Sequence, residues 1–246
     1  MKQALVLLVF AAVVFSSCSK NNATTGSDVK LNFAGSTSGL KSALIADSAG
    51  LILTDFRIVI REIKFDVDGD YFEKFHMEHK HGWMDSAYSN NEVKGPFILN
   101  LMENGAVKNL LVNVGQVPNA TFDKIEFKVG KSSAVPVTDT MYNKSILLTG
   151  TYNGTPFAMW ERRESEFKVH FSDTTKLNLI GDAVQLKVNF QIQRFLNAIS
   201  AIDLSKAVDG NHNGILEIGP GDPDGNNFLV AHFLDNVQES CHLKKD

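Results

Sequence analysis

The chain has 246 residues, 43% of them hydrophobic and 21% charged, with a formal net charge of −4. The composition is that of a globular protein, and the lack of any basic excess or stripe excludes nucleic acid as a partner. There are two cysteines, one of them drawn to the N-terminus as described below. An intrachain disulfide framework is therefore excluded, and stability must come from core packing.

The opening residues MKQALVLLVFAAVVFSSCSK place Lys2 before an apolar run from Leu5 to Phe15, then Ser16, Ser17 and Cys18. This is the layout of a secretory signal, and the run is too short to cross a membrane as a helix. Because it ends on cysteine it resembles a bacterial lipobox, with Phe15 where an aliphatic residue is usual. The resemblance implies cleavage before Cys18 and lipidation of Cys18. Two acyl chains would anchor the chain stably, since each buried methylene adds about 0.8 kcal/mol. Residues 1–17 are then a signal peptide and 18–28 the lipidated cysteine with its tether, Ser19–Asp28 being polar throughout. The expected location is the bacterial cell envelope, as an outer-membrane lipoprotein facing the periplasm or the surface.

From residue 29 to 195 the apolar residues recur with period two. LNFAG (31–35) is the first strand candidate. FRIVIREIKFDV follows, with Phe56, Ile58 and Ile60 on one parity and Ile63 and Phe65 on the other. A bulge near Arg61–Glu62 would keep both sets on the core side. PFILNL (96–101), NLLVNV (109–114) and FDKIEFKVG come next, the last with Ile125, Phe127 and Val129 alternating with Lys124, Glu126 and Lys128. ILLTGTYNGTPFAMW reads as a hairpin turning at Asn153-Gly154. EFKVHF (166–171) and AVQLKVNFQIQRF complete the series, with Val184, Leu186, Val188, Phe190 and Ile192 sharing one face. The expected fold is all-β, an antiparallel β-sandwich of the immunoglobulin/transthyretin-like kind. A C-terminal extension over 196–246 follows, ending in a short helix over 227–243, where Phe228, Leu229, His232, Phe233 and Val237 fall at helical spacing.

With a lipobox, a polar tether and the phrases LTDFRIVIREIKF, GPFILNL and VGQVPNATFDKIEFKVG, the chain resembles a family of uncharacterised Bacteroidota-type lipoproteins. The resemblance covers about residues 29–195. Val117-Pro118-Asn119-Ala120-Thr121-Phe122 stands where those proteins carry a leucine-proline-alanine-glycine-x-tyrosine lead-in to a strand. These motifs are strand starts and turns, so the resemblance implies a β-sandwich and a surface, adhesin-like or accessory binding role, without catalytic residues.

Three stretches carry chemistry. DGNHNGILEIGPGDPDG (209–225) sets Asp209, Asn211 and Asn213 at alternate positions before Gly214, as a calcium loop does. The Ile215 carbonyl would be a fourth ligand, and Ile215 and Leu216 apolar anchors. The twelfth position is Pro220, so Glu217, Asp222 or Asp224 must complete the oxygens. One carboxylate among the first three ligands suits the extracellular calcium range of about 10⁻⁴–10⁻³ M. HMEHKHGW (76–83) offers His76, His79 and His81 for a transition metal, zinc or copper. Asp66, Asp68 and Asp70 alternate too, but Tyr71 occupies the glycine position, so an acidic turn is the simpler reading. No GxSxG elbow or cysteine–histidine signature selects a nucleophile, and Cys241 reads as a plain thiol. The expectation is a non-enzymatic lipoprotein, joined to the membrane by its lipid, that binds a protein or glycan partner through loops and carries a structural calcium loop. The alternative is a transition-metal-binding lipoprotein using the histidine loop.

Overall fold

The computed structural model describes residues 26–36, 45–46, 50–68, 91–171, 176–192, 202–230 and 241–245. In chain order the strands are β1 (Gly26–Ser36), β2 (Ile45–Ala46), β3 (Leu51–Val67), β4 (Glu92–Glu103), β5 (Ala106–Val107), β6 (Asn109–Pro118) and β7 (Thr121–Val129). They continue as β8 (Ile146–Tyr152), β9 (Thr155–Glu161), β10 (Ser165–His170), β11 (Leu177–Asn178), β12 (Val184–Gln191), β13 (Leu216–Ile218) and β14 (Cys241–Lys245). Two 3-10 segments, Leu204–Lys206 and Asn227–Val230, flank the late loop. The chain is all-β, and its sheets do not close into a barrel. The smaller sheet has the order β14-β12-β1-β6. The larger runs β10-β7-β3-β8-β9-β13, with β2 and β4 also on β3, β5 on β4 and β11 on β7.

β3 organises the larger sheet because it is long enough to serve two partners along one edge. Leu51–Ile58 pairs with β8, and Ile60–Val67 pairs with β7. Val59 makes the switch: its N–H donates to the Ser145 carbonyl, and its own carbonyl accepts the Gly130 N–H. The expected bulge is present, since both the β4 and β7 registers shift between Ile60 and Glu62 and leave Arg61 exposed. A second shift, between Leu53 and Asp55, was not expected. Together the two bulges put Leu51 and Leu53, then Phe56, Ile58 and Ile60, then Ile63 and Phe65 into one core. The β8–β9 hairpin turns at Asn153 (φ 49°) and Gly154 (φ 84°), as the Asn-Gly pair requires.

Phenylalanines join the two sheets. Phe33 of β1 meets Phe127 of β7 edge-on at 5.7 Å, and Phe127 stacks on Phe167 of β10 at 5.1 Å. Phe167 meets Phe190 of β12 at 5.8 Å, and Phe190 returns to Phe33 at 6.2 Å. Two rings come from each sheet, so this closed ring of four is an aromatic contact between the sheets within their shared core. Each ring brings both buried area and a favourable quadrupolar pairing.

The outer face of the larger sheet is divided. Over β3, β7 and β10 it is a charge ladder: Lys64 and Lys124 both reach Asp66 (2.7 and 2.9 Å), and Lys168 reaches Glu126 (2.9 Å). The registers set Lys64 opposite Glu126 and Asp66 opposite Lys124, the cross-strand opposition that stabilises a sheet. Over β8 and β9 the same face is apolar, with Val59, Met141, Leu147 and Trp160 packed together.

Several sequence expectations need correction. The sheets are not purely antiparallel: β1 runs parallel to β12 from Val29↔Val184 to Ser36↔Gln191, and β13 runs parallel to β9. β1 also starts inside the expected tether. Ser27 is fully buried, donating to Asn119 Oδ1 (3.0 Å) and accepting the Gly181 N–H (2.9 Å). The helix expected over 227–243 meets a 3-10 turn at its start and a strand at its end, because Cys241–Lys245 pairs antiparallel with β12. The C-terminal segment thus contributes a strand to each sheet.

Candidate metal centre

The 208–226 loop enters after Leu204–Lys206 and leaves into Asn227–Val230, and one buried amide closes it. Asn226 Oδ1 accepts the Val208 N–H (3.0 Å), while its Nδ2 donates to the Val208 carbonyl (2.8 Å) and the Glu217 carbonyl (2.9 Å). Leu216, buried, and Ile218, fully buried, carry β13 onto β9 by pairing with Phe157 and Met159. Of the two expected apolar anchors only Leu216 serves, since Ile215 is 37% exposed. At its far end the loop lies on Trp160. A Cβ on Gly219 would stand 2.5 Å from the indole ring, and Trp160 Nε1 donates to the Pro220 carbonyl (3.4 Å). Neither charge nor spacing singles out Asn226 or Trp160. The signal for Asn226 is the polar Asn226-Asn227 pair at the end of a loop that needs closing.

Within that frame the alternate residues converge. Asp209 accepts the Asn213 N–H at Oδ1 (3.0 Å) and the Gly214 N–H at Oδ2 (2.9 Å). Asn211 Oδ1 also accepts the Asn213 N–H (3.0 Å), and Asn213 Oδ1 accepts the Ile215 N–H (2.8 Å). Glu217 Oε2 takes both amide groups, Asn211 Nδ2 at 2.8 Å and Asn213 Nδ2 at 3.0 Å. Asp209, Asn211, Asn213 and Glu217 are therefore one polar cluster, and the turn runs through His212 (φ 61°) and Gly214 (φ 82°). A Cβ at Gly214 would touch nothing within 4 Å, so its glycine answers to backbone conformation, not to space.

The remaining carboxylates, like Asp209, accept backbone N–H groups, but neither is bonded to the side chains of Asn211 or Asn213. Asp224, buried, accepts the Asn211 N–H at Oδ1 (3.1 Å) and the Glu217 N–H at Oδ2 (2.7 Å). Asp222 accepts the Asn226 N–H (2.8 Å) and the Gly219 N–H (3.3 Å). Both spend their oxygens on backbone donors and hold the loop's shape. Of the three candidates for completing the oxygen set, Glu217 is the one that faces Asn211 and Asn213. Among the described residues no three His, Cys, Asp or Glu side chains gather closely enough to hold a metal ion. The cluster instead combines two carboxylates with two amides, a donor set of hard oxygens suited to calcium.

Beside the loop, Glu161 closes β9 with a fully buried carboxylate. Its Oε1 accepts the Arg162 and Arg163 N–H groups (2.8 and 3.0 Å). Its Oε2 accepts Arg163 Nε (3.0 Å) and Nη2 (2.7 Å). Burial pushes this carboxyl up, but the Arg163 guanidinium and the two backbone donors outweigh that and hold it below its ordinary value. Arg163 Nη2 also reaches the Val230 carbonyl (3.4 Å), so the pair ties the strand end to the exit of the loop.

The other candidates are placed as follows. Cys18, His76, His79 and His81 lie outside the described residues, as does Asp70. Asp66 is held by Lys64 and Lys124, and Asp68 by Lys176 (2.6 Å), which makes them ion-pair partners in the sheet. Cys241 sits in β14 opposite Phe190.

No family model matches the chain, and no significant match was found among curated proteins or among solved structures.

Proposed function

We propose that this protein is a lipid-anchored, non-enzymatic lipoprotein of the bacterial cell envelope, a member of the Bacteroidota-type family it resembles. In this reading it is a β-sandwich of the immunoglobulin/transthyretin-like kind that binds a protein or glycan partner through its loops. Calcium in the 208–226 loop staples the C-terminal segment to the larger sheet. The anchor rests on the Leu5–Phe15 run ending at Cys18, and the sandwich on the Phe33, Phe127, Phe167 and Phe190 contacts between sheets. The observation that carries the calcium reading is the convergence of Asp209, Asn211, Asn213 and Glu217 in one loop closed by Asn226.

A cation here binds only the folded loop, so it stabilises by mass action. At ten times the dissociation constant the gain is about 1.4 kcal/mol, which corresponds to roughly 3–6 °C in melting temperature for a chain of this size. The test compares melting in millimolar calcium and in EGTA for the parent and for Asp209→Asn combined with Glu217→Gln. A rise in the parent that the double variant loses supports the staple. Superimposable parent curves would remove it.

A further inference from the structure

The apolar patch on the outer face of the larger sheet is bordered by cations. Registers place Arg57, Leu147 and Trp160 in one cross-strand row over β3, β8 and β9. Arg162 lies two residues beyond Trp160 along the same direction, and its Nη1 stands 3.5 Å from where a Gly221 Cβ would be. The Lys144 ammonium lies 5.1 Å from the Trp160 ring centroid and donates to the Thr140 carbonyl (2.6 Å). Arg57 is fully engaged, with Asn100 (2.9 Å), Asp139 (3.2 Å) and Thr140 (2.9 Å). Lys144 and Arg162 are not. Neither forms an ion pair among the described residues, and Arg162 Nε is shielded from water without any acceptor.

A buried donor without a partner is costly, and two like charges sharing a half-buried surface add to that cost. Burial, and after it the repulsion of Arg162, hold the Lys144 ammonium below its ordinary value, while Glu217 and Asp139 pull the other way. Asp139 is already taken by Arg57 and the Met141 N–H (2.7 Å), and Glu217 by the amides of Asn211 and Asn213. Neither carboxylate forms an ion pair with Lys144 or Arg162 among the described residues, which leaves room for a further counter-charge.

We propose that Lys144 and Arg162, beside Trp160 and the Gly219–Gly221 turn, bind a small oxyanion, a carboxylate or a sulfate group. The guanidinium offers a planar edge of N–H donors that fits two oxygens of one anion, and the ammonium adds a point charge. The buried Trp160 ring beneath Lys144 lowers the local polarity, so those charges are poorly screened. The site borders the calcium loop through Gly219–Gly221 and does not need a cation in it.

The test follows the Arg162 Nε–H cross-peak of the full chain, freed of calcium on a chelating resin, at constant ionic strength balanced with chloride. The probes are sodium sulfate in one arm and sodium glucuronate in the other. The expected result is a saturable shift in at least one arm, which identifies the preferred oxyanion. Lys144→Met should weaken that binding about tenfold or more, the worth of a charge-assisted contact. Lys144→Arg should keep it, which guards against a trivial loss of folding. Glu217→Gln should tighten it by removing the opposing charge. A shift that stays linear in both anions, or an affinity that Lys144→Met leaves unchanged, would overturn the proposal.

Discussion

The four-phenylalanine contact and the 208–226 loop are both ordered, but by opposite means. Phe33, Phe127, Phe167 and Phe190 hold two sheets together through apolar area and ring geometry, with no polar atom taking part. In the loop the side chains of Asp209, Asn211, Asn213, Asp222, Asp224 and Asn226 all accept backbone N–H groups. The first arrangement is indifferent to ions and to mild acid. The second gathers negative charge and amide dipoles into a turn, which on the proposed reading gains from a cation. Stability in the core comes from contact area, which no solute at millimolar concentration changes. In the loop, on the calcium reading, it is conditional on the solution.

Substitutions sharpen this contrast. Phe127→Ala removes a ring that touches both Phe33 and Phe167, and should cost about 3–5 kcal/mol. Denaturant unfolding should report that loss equally with and without calcium. Asn226→Ala leaves the Val208 N–H and the carbonyls of Val208 and Glu217 without their partner, for a cost of about 2–4 kcal/mol. Here the loss should depend on calcium, because the loop that would bind it is no longer closed. If Phe127→Ala and Asn226→Ala respond alike to calcium, the contrast fails.

Glu161 provides the smaller, pH-dependent test. Its folded-state carboxyl lies below its ordinary value of 4.5, so the stability it contributes is complete above that value. As pH falls through the lowered folded value, that contribution disappears. Glu161→Gln should lower stability at neutral pH by about 1–3 kcal/mol, since the amide keeps part of the bonding. Melting followed from pH 7 downward should show parent and variant converging below about pH 4.5. A gap that stays constant across that range would show that the charge of Glu161 is not what matters.

Legibility in the sequence followed the range of the interaction. Alternation predicted β7, β10 and β12 with the correct inward faces, because period two is a local property of a strand with one buried side. Arg61 was readable as a bulge because the parity change from Ile60 to Ile63 falls inside one continuous stretch of alternating apolar residues. The bulge between Leu53 and Asp55 was not, because Thr54 and Asp55 look like ordinary polar positions at the start of that run. The Asn153-Gly154 turn was read from its flanking strands, while Asn104-Gly105, which turns β4 into β5 with φ 52° and 75°, has only two residues of strand after it to announce it.

Parallel pairing of β1 with β12 has no local signature at all, since partner choice is set by sheets assembled across the chain. The helical spacing of 227–243 misled for the same reason. Phe228 is 57% exposed and Val230 buried, and Cys241–Lys245 is claimed by the edge of β12. In the loop, the alternation of Asp209, Asn211 and Asn213 identified the converging residues. The division between Glu217, which faces them, and Asp222 and Asp224, which hold backbone, depends on how the chain turns after β13, and spacing alone does not encode it.

The most direct test of the calcium staple is amide hydrogen exchange measured with millimolar calcium and with EGTA. Calcium should slow exchange at the loop amides of Asn211, Asn213, Gly214, Ile215 and Glu217, while the β7 and β12 amides around Phe127 and Phe190 change little. Equal exchange of those loop amides in the two solutions would contradict the account.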